Sequence, residues 1–199
     1  MTFYDLIRVP VTAFQFLLMP QRVVCGKENT DPETPVIYCI NHRHAGDPFR
    51  IAAAVKKQIA FMAKKEIFRH KIVAWFVTKL NAFPVDRSGA DVSAVKTAVN
   101  RLKEGYCVGI FPEGTRYRDS FEMQSVHTGA VWIAVRAGVP VVPVFLDGGG
   151  LFRRTRIYFG EKLFFSVPEG GRFDAGLREE YALTLQSAVN ALAERAKAD

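Results

Sequence analysis

Two short segments of this 199-residue chain have the residue types and spacing that acid–base chemistry on an anionic substrate requires. Segment 41–47, NHRHAGD, places His42 and Asp47 five positions apart where an apolar strand-like run leads into a helix-like one. Segment 111–116, FPEGTR, ends another apolar run with the carboxylate of Glu113 and the guanidinium of Arg116. A histidine can take a proton from a hydroxyl group near neutral pH, and a guanidinium can bind a phosphate. Together they indicate activation of a hydroxyl group on a phosphorylated alcohol.

Within the first segment, His42 is the candidate general base and Asp47 the residue that orients it. A carboxylate bonded to the far ring nitrogen would fix the tautomer of His42 and stabilise the imidazolium that forms. Asp is also a favoured residue at a helix N-cap, and Pro48 would then occupy the first helical position. One carboxylate can both cap the helix and orient the ring of His42.

The sequence offers no clear nucleophile and no complete metal site. It has no G-x-S-x-G motif and its cysteines are scattered, so we expect the substrate hydroxyl to react directly rather than through a covalent intermediate on the protein. His42, His44 and Asp47 could begin a metal site, but the only other histidines are His70 and His127, and no carboxylate-rich helix completes a coordination shell. We therefore predict no metal.

Four sequence blocks occur in a fixed order along the chain: N-H-x4-D at 41–47, F-P-V-D-R at 83–87, F-P-E-G-T-R at 111–116 and V-P-V-x-P-V at 139–144. In this combination the chain resembles the 1-acyl-glycerol-3-phosphate acyltransferase family over residues 36–159. The resemblance implies transfer of a fatty acyl group from acyl-coenzyme A or acyl-carrier protein to the free hydroxyl of 1-acyl-sn-glycerol 3-phosphate, giving phosphatidic acid. It implies no cofactor besides the acyl donor. The alternatives are another lysophospholipid or glycerol-phosphate acceptor, or a non-catalytic lipid-binding module, which would not need the His42–Asp47 pair.

The resemblance also assigns roles to individual residues. His42 and Asp47 are the expected catalytic residues, and the expected substrate-binding residues are Lys64, Arg87, Glu113, Gly114, Thr115 and Arg116. Planar guanidinium groups suit bidentate phosphate binding, which makes the two arginines the phosphate candidates. Glu113 is implied to contact the acceptor or hold the arginines. The chain departs from the family's pattern at His44, where a small polar residue is usual, and at 127–129, where a basic residue often precedes the glycine.

Positive charge is concentrated in one part of the chain. Residues 50–103 hold 12 Lys/Arg against 3 Asp/Glu, whereas the whole chain carries a net charge of +7. A basic segment beside the motifs suits anionic lipid head groups, coenzyme A phosphates or an acidic carrier protein. No nucleic-acid recognition motif accompanies it, so we predict no nucleic-acid partner.

The first 24 residues are mostly apolar from Phe3 to Met19 and predict a helix that contacts a membrane, ahead of an acyltransferase domain at 25–199. The apolar run is marginal for crossing a bilayer and contains Pro10, so a helix lying in the interface is favoured over a spanning one; a helix packed on the protein's own core is the alternative. Cys25, Cys39 and Cys107 form no C-x-x-C pair, which is typical of a reducing compartment. We expect a peripheral or monotopic protein on the cytoplasmic face of an anionic membrane.

Strand-like and helix-like segments alternate through the rest of the chain. The predicted strands are 35–40, 59–63, 82–85, 107–111, 141–146 and 156–159, and the predicted helices are 48–57, 71–80, 91–103, 129–137 and 173–197. This order predicts an α/β fold: a single layered domain with a largely parallel or mixed sheet flanked by helices, plus the N-terminal apolar helix. Ligands of such sheets bind beyond the carboxyl ends of the strands, where His42, Arg87, Glu113 and Arg116 are expected to converge. Aromatic residues could line an acyl-chain channel or fill the core: Phe61, Phe68, Trp75, Phe76 and Phe83.

Overall fold

A computed structural model describes residues 18–86, 91–113, 123, 128–150 and 152–199. The strands in this part of the chain are β1 Gln21–Cys25, β2 Ile37–Ile40, β3 Ile59–Lys64, β4 Phe83–Val85, β5 Cys107–Ile110, β6 Val141–Asp147 and β7 Thr155–Phe159. The α-helices are α1 Asp47–Ala54, α2 Lys71–Lys79, α3 Val92–Lys103, α4 Gly129–Ala137 and α5 Ala175–Ala198. Two 3-10 turns lie at Lys27–Thr30 and Lys65–Arg69.

The seven strands form one sheet in the order β1-β7-β6-β2-β5-β3-β4. Neighbouring strands are parallel except β6 and β7, which are antiparallel. The predicted α/β fold with a mixed, largely parallel sheet is confirmed. Sequence reasoning missed β1, whose residues 21–24 it had assigned to the N-terminal segment. The predicted N-terminal helix of residues 1–24 is therefore wrong for residues 21–24, and its residues 1–17 lie outside the described part of the chain.

Alternating side chains of the strands feed two apolar cores, one on each face of the sheet. From β2, Ile37 and Cys39 join the core that α3, α4 and α5 cover, whereas Tyr38 and Ile40 join the core on the α1 side. Burial of each large apolar side chain contributes about 1.5–3 kcal/mol, so this alternation fixes the register of β2 strongly. The loop after β2, which carries His42, therefore starts from a rigid strand.

Two predicted helix faces differ from the observed ones. On α3 the spacing of Val92, Val95, Val99 and Leu102 predicts one apolar face. The last three are buried together with Ala94 and Ala98, whereas Val92 is exposed. On α5 the sequence spacing predicts an apolar face of Leu177, Tyr181, Leu185, Ala188 and Leu192, whereas the buried residues are Ala182, Leu185, Val189, Ala193 and Ala196. The α5 helix presents small side chains to the sheet because these allow its backbone to approach closely.

None of the helices in the described ranges combines the length and the apolar composition that crossing a bilayer requires.

Candidate active site

The loop between β2 and α1 is held at its start by Asn41. The Asn41 side-chain amide donates to the Leu146 carbonyl oxygen at 3.1 Å and its oxygen accepts from the Leu146 amide at 2.7 Å. This pair of bonds continues the β2–β6 ladder by one residue. It fixes the direction in which the chain leaves the sheet, and with it the position of His42.

His42 and Asp47 are hydrogen-bonded, as the spacing predicted. Nδ1 of His42 lies 3.1 Å from Oδ2 of Asp47. The same oxygen accepts from the backbone amides of Arg43 at 2.8 Å and His44 at 2.7 Å. Burial acts to raise the pKa of Asp47, but the hydrogen bonds from His42, His44 and Arg43 more than offset it, so this pKa lies below its ordinary value of 3.8. Asp47 is therefore a charged acceptor at neutral pH and can hold the ring of His42 in one orientation.

The expected N-cap role of Asp47 is wrong. Helix α1 begins at Asp47 itself, its N-cap is Gly46, and Pro48 occupies the second helical position. The carboxylate points back into the loop and accepts from the amides of Arg43 and His44, which precede it. The carboxylate thus orders the loop that carries His42 and leaves the first amides of the helix to other partners.

Sequence reasoning missed Arg50, the largest fully buried side chain among the described residues. Its Nη1 donates to Oδ1 of Asp47 at 3.1 Å and its Nη2 donates to the carbonyl oxygen of Gly150 at 2.9 Å. Breaking a buried ion pair by removing one partner typically costs about 3–5 kcal/mol. Arg50 therefore locks the second oxygen of Asp47 and ties α1 to the loop after β6. The signal in the sequence was its spacing of three from Asp47, which places both on one face of α1.

The loop after β6 packs directly against the His42 loop. Gly148, Gly149 and Gly150 all have positive φ, which side-chain-bearing residues rarely adopt. A Cβ on Gly149 would lie 2.0 Å from Cδ2 of His44, so the His44 ring occupies the space above a bare backbone. His44, which departs from the family's pattern, therefore packs against the glycine loop that follows β6.

Glu113 follows β5, the parallel neighbour of β2, and lies beside His42. Burial raises the pKa of Glu113 to about 7, while a hydrogen bond from the His42 amide and the charge of Arg43 lower it. The ring of Phe111, two residues earlier, lies under the His42 ring with centroids 4.2 Å apart. The predicted convergence is thus observed for His42 and Glu113. Glu113 Oε2 is buried and has no hydrogen-bond partner among the described residues.

Of the remaining predicted binding residues, Lys64 lies in the described part of the chain and the others do not. Lys64 ends β3 at the same edge of the sheet, is exposed, and pairs with Glu66 at 3.8 Å. Because β3 is two strands from β2, Lys64 lies about 10 Å to the side of His42 across the sheet. Arg87, Gly114, Thr115 and Arg116 lie outside the described residues and stay predictions.

Asp91 follows the segment that contains Arg87, and its side chain is hydrogen-bonded to Asp86, which precedes that segment. Its Oδ2 accepts from the amide of Asp86 at 2.8 Å, and its Oδ1 caps α3 by accepting from the amide of Ala94 at 2.9 Å. The first of these hydrogen bonds therefore joins Asp86 and Asp91, which flank segment 87–90, at the carboxyl end of β4.

The aromatic residues considered for an acyl-chain channel have different surroundings. Phe61 and Phe83 are buried, one in each core, and Phe68 is half-buried. Trp75 is exposed on α2, so it is not part of the core. The side chain of Phe76 lies outside the described part.

In the described ranges, no three His, Cys, Asp or Glu side chains are grouped as metal ligands would be. That the reaction needs no metal stays a prediction.

The raised pKa of Glu113 predicts a measurable pH dependence of stability. A folded state that holds this proton more tightly than the unfolded chain loses stability as pH rises from the ordinary value of 4.5 to about 7. We expect Glu113→Gln to remove this decline, measured as the free energy of unfolding in denaturant across that pH range. Glu104→Gln, which changes an exposed glutamate paired with Arg101, should leave the decline in place. An unchanged pH profile in Glu113→Gln would contradict the assignment.

The chain matches a protein-family model and several named proteins. The Acyltransferase family model matches residues 21–147, which include His42, Asp47 and Glu113. The chain is 37% identical over 147 residues to a 1-acyl-sn-glycerol-3-phosphate acyltransferase of Bacillus subtilis, covering 70% of this chain and 72% of that protein. It is 34% identical over 133 residues to the chloroplastic 1-acyl-sn-glycerol-3-phosphate acyltransferase LPAT1 of Arabidopsis thaliana, covering 65% of this chain but 37% of that protein.

A crystal structure shares the fold. It is that of the 1-acyl-sn-glycerophosphate (LPA) acyltransferase from Thermotoga maritima, with a TM-score of 0.71 and 27% identity, covering 98% of this chain and 78% of that one. The family match spans more than half of the chain and includes the loop that holds His42 and Asp47. This chain belongs to the acyltransferase family.

Proposed function

We propose that the protein transfers a fatty acyl group from acyl-coenzyme A or acyl-carrier protein to the free hydroxyl of 1-acyl-sn-glycerol 3-phosphate, giving phosphatidic acid. The observation that carries the proposal is the hydrogen bond between Nδ1 of His42 and the buried Asp47, at the sheet edge where Glu113 also lies. The names of the relatives support the choice of acceptor.

The reaction follows from the orientation of His42. In the tautomer that donates its Nδ1 proton to Asp47, the basic ring nitrogen is Nε2, which can take the proton of the acceptor hydroxyl. The hydroxyl oxygen attacks the thioester carbonyl, a C–O bond forms, and the tetrahedral intermediate collapses with cleavage of the C–S bond. The imidazolium then returns its proton to the leaving thiolate. Asp47 stabilises the imidazolium while it exists.

The acceptor phosphate is assigned to arginines that follow the neighbouring strands. Arg116 follows Glu113 by three residues and Arg87 follows β4, so both positions succeed strands whose carboxyl ends share the edge with His42. Glu113 contacts the acceptor or holds an arginine, Gly114 and Thr115 belong to the same substrate-binding segment, and Lys64 adds positive charge at the same edge of the sheet. The reaction takes place at the cytoplasmic face of the membrane, a placement supported by three free cysteines, two of them buried.

Product identification tests the proposal. Purified protein is incubated with acyl-coenzyme A or acyl-carrier protein and a panel of acceptors: 1-acyl-glycerol 3-phosphate, glycerol 3-phosphate and lysophospholipids with other head groups. We expect phosphatidic acid, detected by mass spectrometry, as the main product. A main product from another acceptor would move the protein to a different branch of the family.

The two arginines are expected to act through acceptor binding. Loss of one charged hydrogen-bonding partner of a phosphate costs about 2–3 kcal/mol, so Arg116→Ala and Arg87→Ala should each raise the acceptor KM about 30–150-fold and leave the donor KM nearly unchanged. Arg101→Ala is the matched control, because Arg101 pairs with Glu104 near the end of α3, at the opposite edge of the sheet. A rise confined to the donor KM would place these arginines on the coenzyme A or carrier side.

The N-terminal segment is expected to bind the membrane. Deleting residues 2–17 keeps the carbonyl oxygens of Leu18 and Pro20, which accept from the amides of Phe152 and Thr155. We expect the truncated protein to keep its fold and its activity on dispersed substrate, and to lose most of its activity on vesicle-embedded substrate. Circular dichroism and the two activity assays measure this. Unfolding on truncation would show instead that the segment is a core helix.

A further inference from the structure

Two exposed apolar groups flank the candidate active site along one edge of the sheet. On one side Ile72 is 85% exposed and Trp75 56% exposed, one helical turn apart in the first half of α2. On the other side Phe152 is 72% exposed in the loop between β6 and β7. Monomeric proteins rarely leave large apolar side chains in groups on the surface unless they meet a partner.

Both groups lie at the carboxyl edge that carries His42. Strand β3 ends at Lys64 and leads through the 3-10 turn into α2, so the start of α2 is at this edge. Strand β6 is parallel to β2 and ends at Asp147, and β7 returns antiparallel from Thr155, so the loop between them is at this edge too. In the sheet order, β2 and β5 lie between these two sides. The exposed side chains therefore border the site.

The apolar groups are accompanied by positive charge. Arg69 and Lys71 are exposed beside Ile72, and Arg153 and Arg154 are exposed beside Phe152. Apolar insertion together with basic side chains is the pair of signals that stable binding to an anionic lipid surface requires.

The loop that carries Phe152 is also hydrogen-bonded to the predicted N-terminal membrane segment, at Leu18. Phe152 has a φ of +59°, which a bulky residue rarely adopts, and its amide donates to the carbonyl oxygen of Leu18 at 2.6 Å. The exposed phenyl ring therefore lies in a loop that is hydrogen-bonded to Leu18, the residue that follows segment 1–17.

We propose that Ile72, Trp75 and Phe152, with Arg69, Lys71, Arg153 and Arg154, form a membrane-docking rim that lies on an anionic bilayer with the site facing the lipid. The inference rests on the proposed function, since an acceptor whose acyl chain is in the bilayer must reach His42 from that side. The rim adds a second contact to the N-terminal segment and fixes the orientation of the site.

Vesicle binding tests the rim in the full-length chain. The vesicles contain phosphatidylcholine with or without phosphatidylglycerol, and binding is measured by sedimentation. We expect the double variant Ile72→Ser with Trp75→Ser, and separately Phe152→Ser, to lower partitioning onto the anionic vesicles by about tenfold or more. Lys71→Glu should also lower partitioning onto the anionic vesicles. Its deficit relative to the wild type should grow as the salt concentration is reduced, because the repulsive charge then acts over a longer distance.

Matched controls lie away from the rim. Phe164 is 77% exposed beyond the end of β7, and Leu183 is 58% exposed on α5. Phe164→Ser and Leu183→Ser should leave vesicle binding unchanged. Lys103→Glu, at the end of α3 at the opposite edge, is the control for charge.

Trp75 also reports its own depth. The chain has two tryptophans, Trp75 and Trp132. We expect phospholipids brominated on their acyl chains to quench the fluorescence of the wild type strongly and that of Trp75→Phe weakly. Because Trp75 is exposed, this variant should fold.

The outcomes separate this inference from the proposed function. The rim variants should keep wild-type activity on dispersed substrate while losing it on vesicles, and absence of that activity in the wild type would defeat the proposed function alone. Vesicle binding that rim and control variants share equally would overturn the rim. So would rim variants that bind vesicles normally but raise the KM for acyl-carrier protein, since the surface would then dock the carrier.

Discussion

His42→Ala is expected to lower kcat for acyl transfer by about 10²–10⁴-fold, the usual contribution of a positioned general base. The ring is half-buried between Asp47, which holds Nδ1, and Phe111, against which it packs at an inclination of 33°. Removing it takes away the proton acceptor and leaves the backbone bonds from Arg43 and His44 to Asp47 in place, so the fold should survive.

Initial rates on dispersed substrate and the thermal unfolding midpoint measure the two effects. His70→Ala is the matched control, because His70 is exposed after the Lys65–Arg69 turn. Retention of more than about a tenth of the wild-type rate in His42→Ala would rule out a base contribution of that size.

Asp47→Asn is expected to lower both activity and stability. The neutral amide cannot stabilise the imidazolium of His42, and we expect a rate loss of roughly 10²-fold or more. It also leaves the fully buried guanidinium of Arg50 without its charge partner, which typically costs about 3–5 kcal/mol of unfolding free energy.

A double variant separates the two effects. Adding Arg50→Met to Asp47→Asn replaces the buried pair by a neutral one and should recover much of the stability, measured by denaturant unfolding, without recovering activity. Recovery of activity together with stability would mean that Asp47 acts only by holding the fold.

Local sequence patterns predicted the elements around the site well, because the site depends on short-range features. Three of these features lie within one strand and the helix that follows it: the apolar run of β2, Pro48 after Asp47, and the spacing of five residues between His42 and Asp47. Parallel neighbours then bring Glu113 to His42 without further information. The glycine at 138, with a φ of +67°, ends α4 where the pattern indicated.

Long-range contacts account for what the sequence did not reveal. Strand β1 pairs with β7, and its Cys25 contacts the carbonyl oxygen of Phe159, which is 134 residues away in the sequence. No local pattern therefore predicts β1. Arg50 is a charged residue in a helix, which a pattern assigns to the surface. It is buried because the 148–150 loop arrives from β6 and accepts its hydrogen bond.

The buried face of α5 shows the same limit. Sequence reasoning chose its larger apolar residues, whereas the helix packs on the sheet through Ala182, Ala193 and Ala196 around Leu185 and Val189. The separation of helix and sheet, which selects small side chains, is a property of the assembled layers.

Initial-rate kinetics test the central claim most directly. The rate of phosphatidic acid formation is measured while the concentrations of acyl donor and 1-acyl-glycerol 3-phosphate are both varied. Direct attack by a hydroxyl that His42 activates requires both substrates to be bound together, so we expect double-reciprocal lines that intersect. Parallel lines, the pattern of an acyl-enzyme intermediate, or the absence of phosphatidic acid with every donor, would contradict the account.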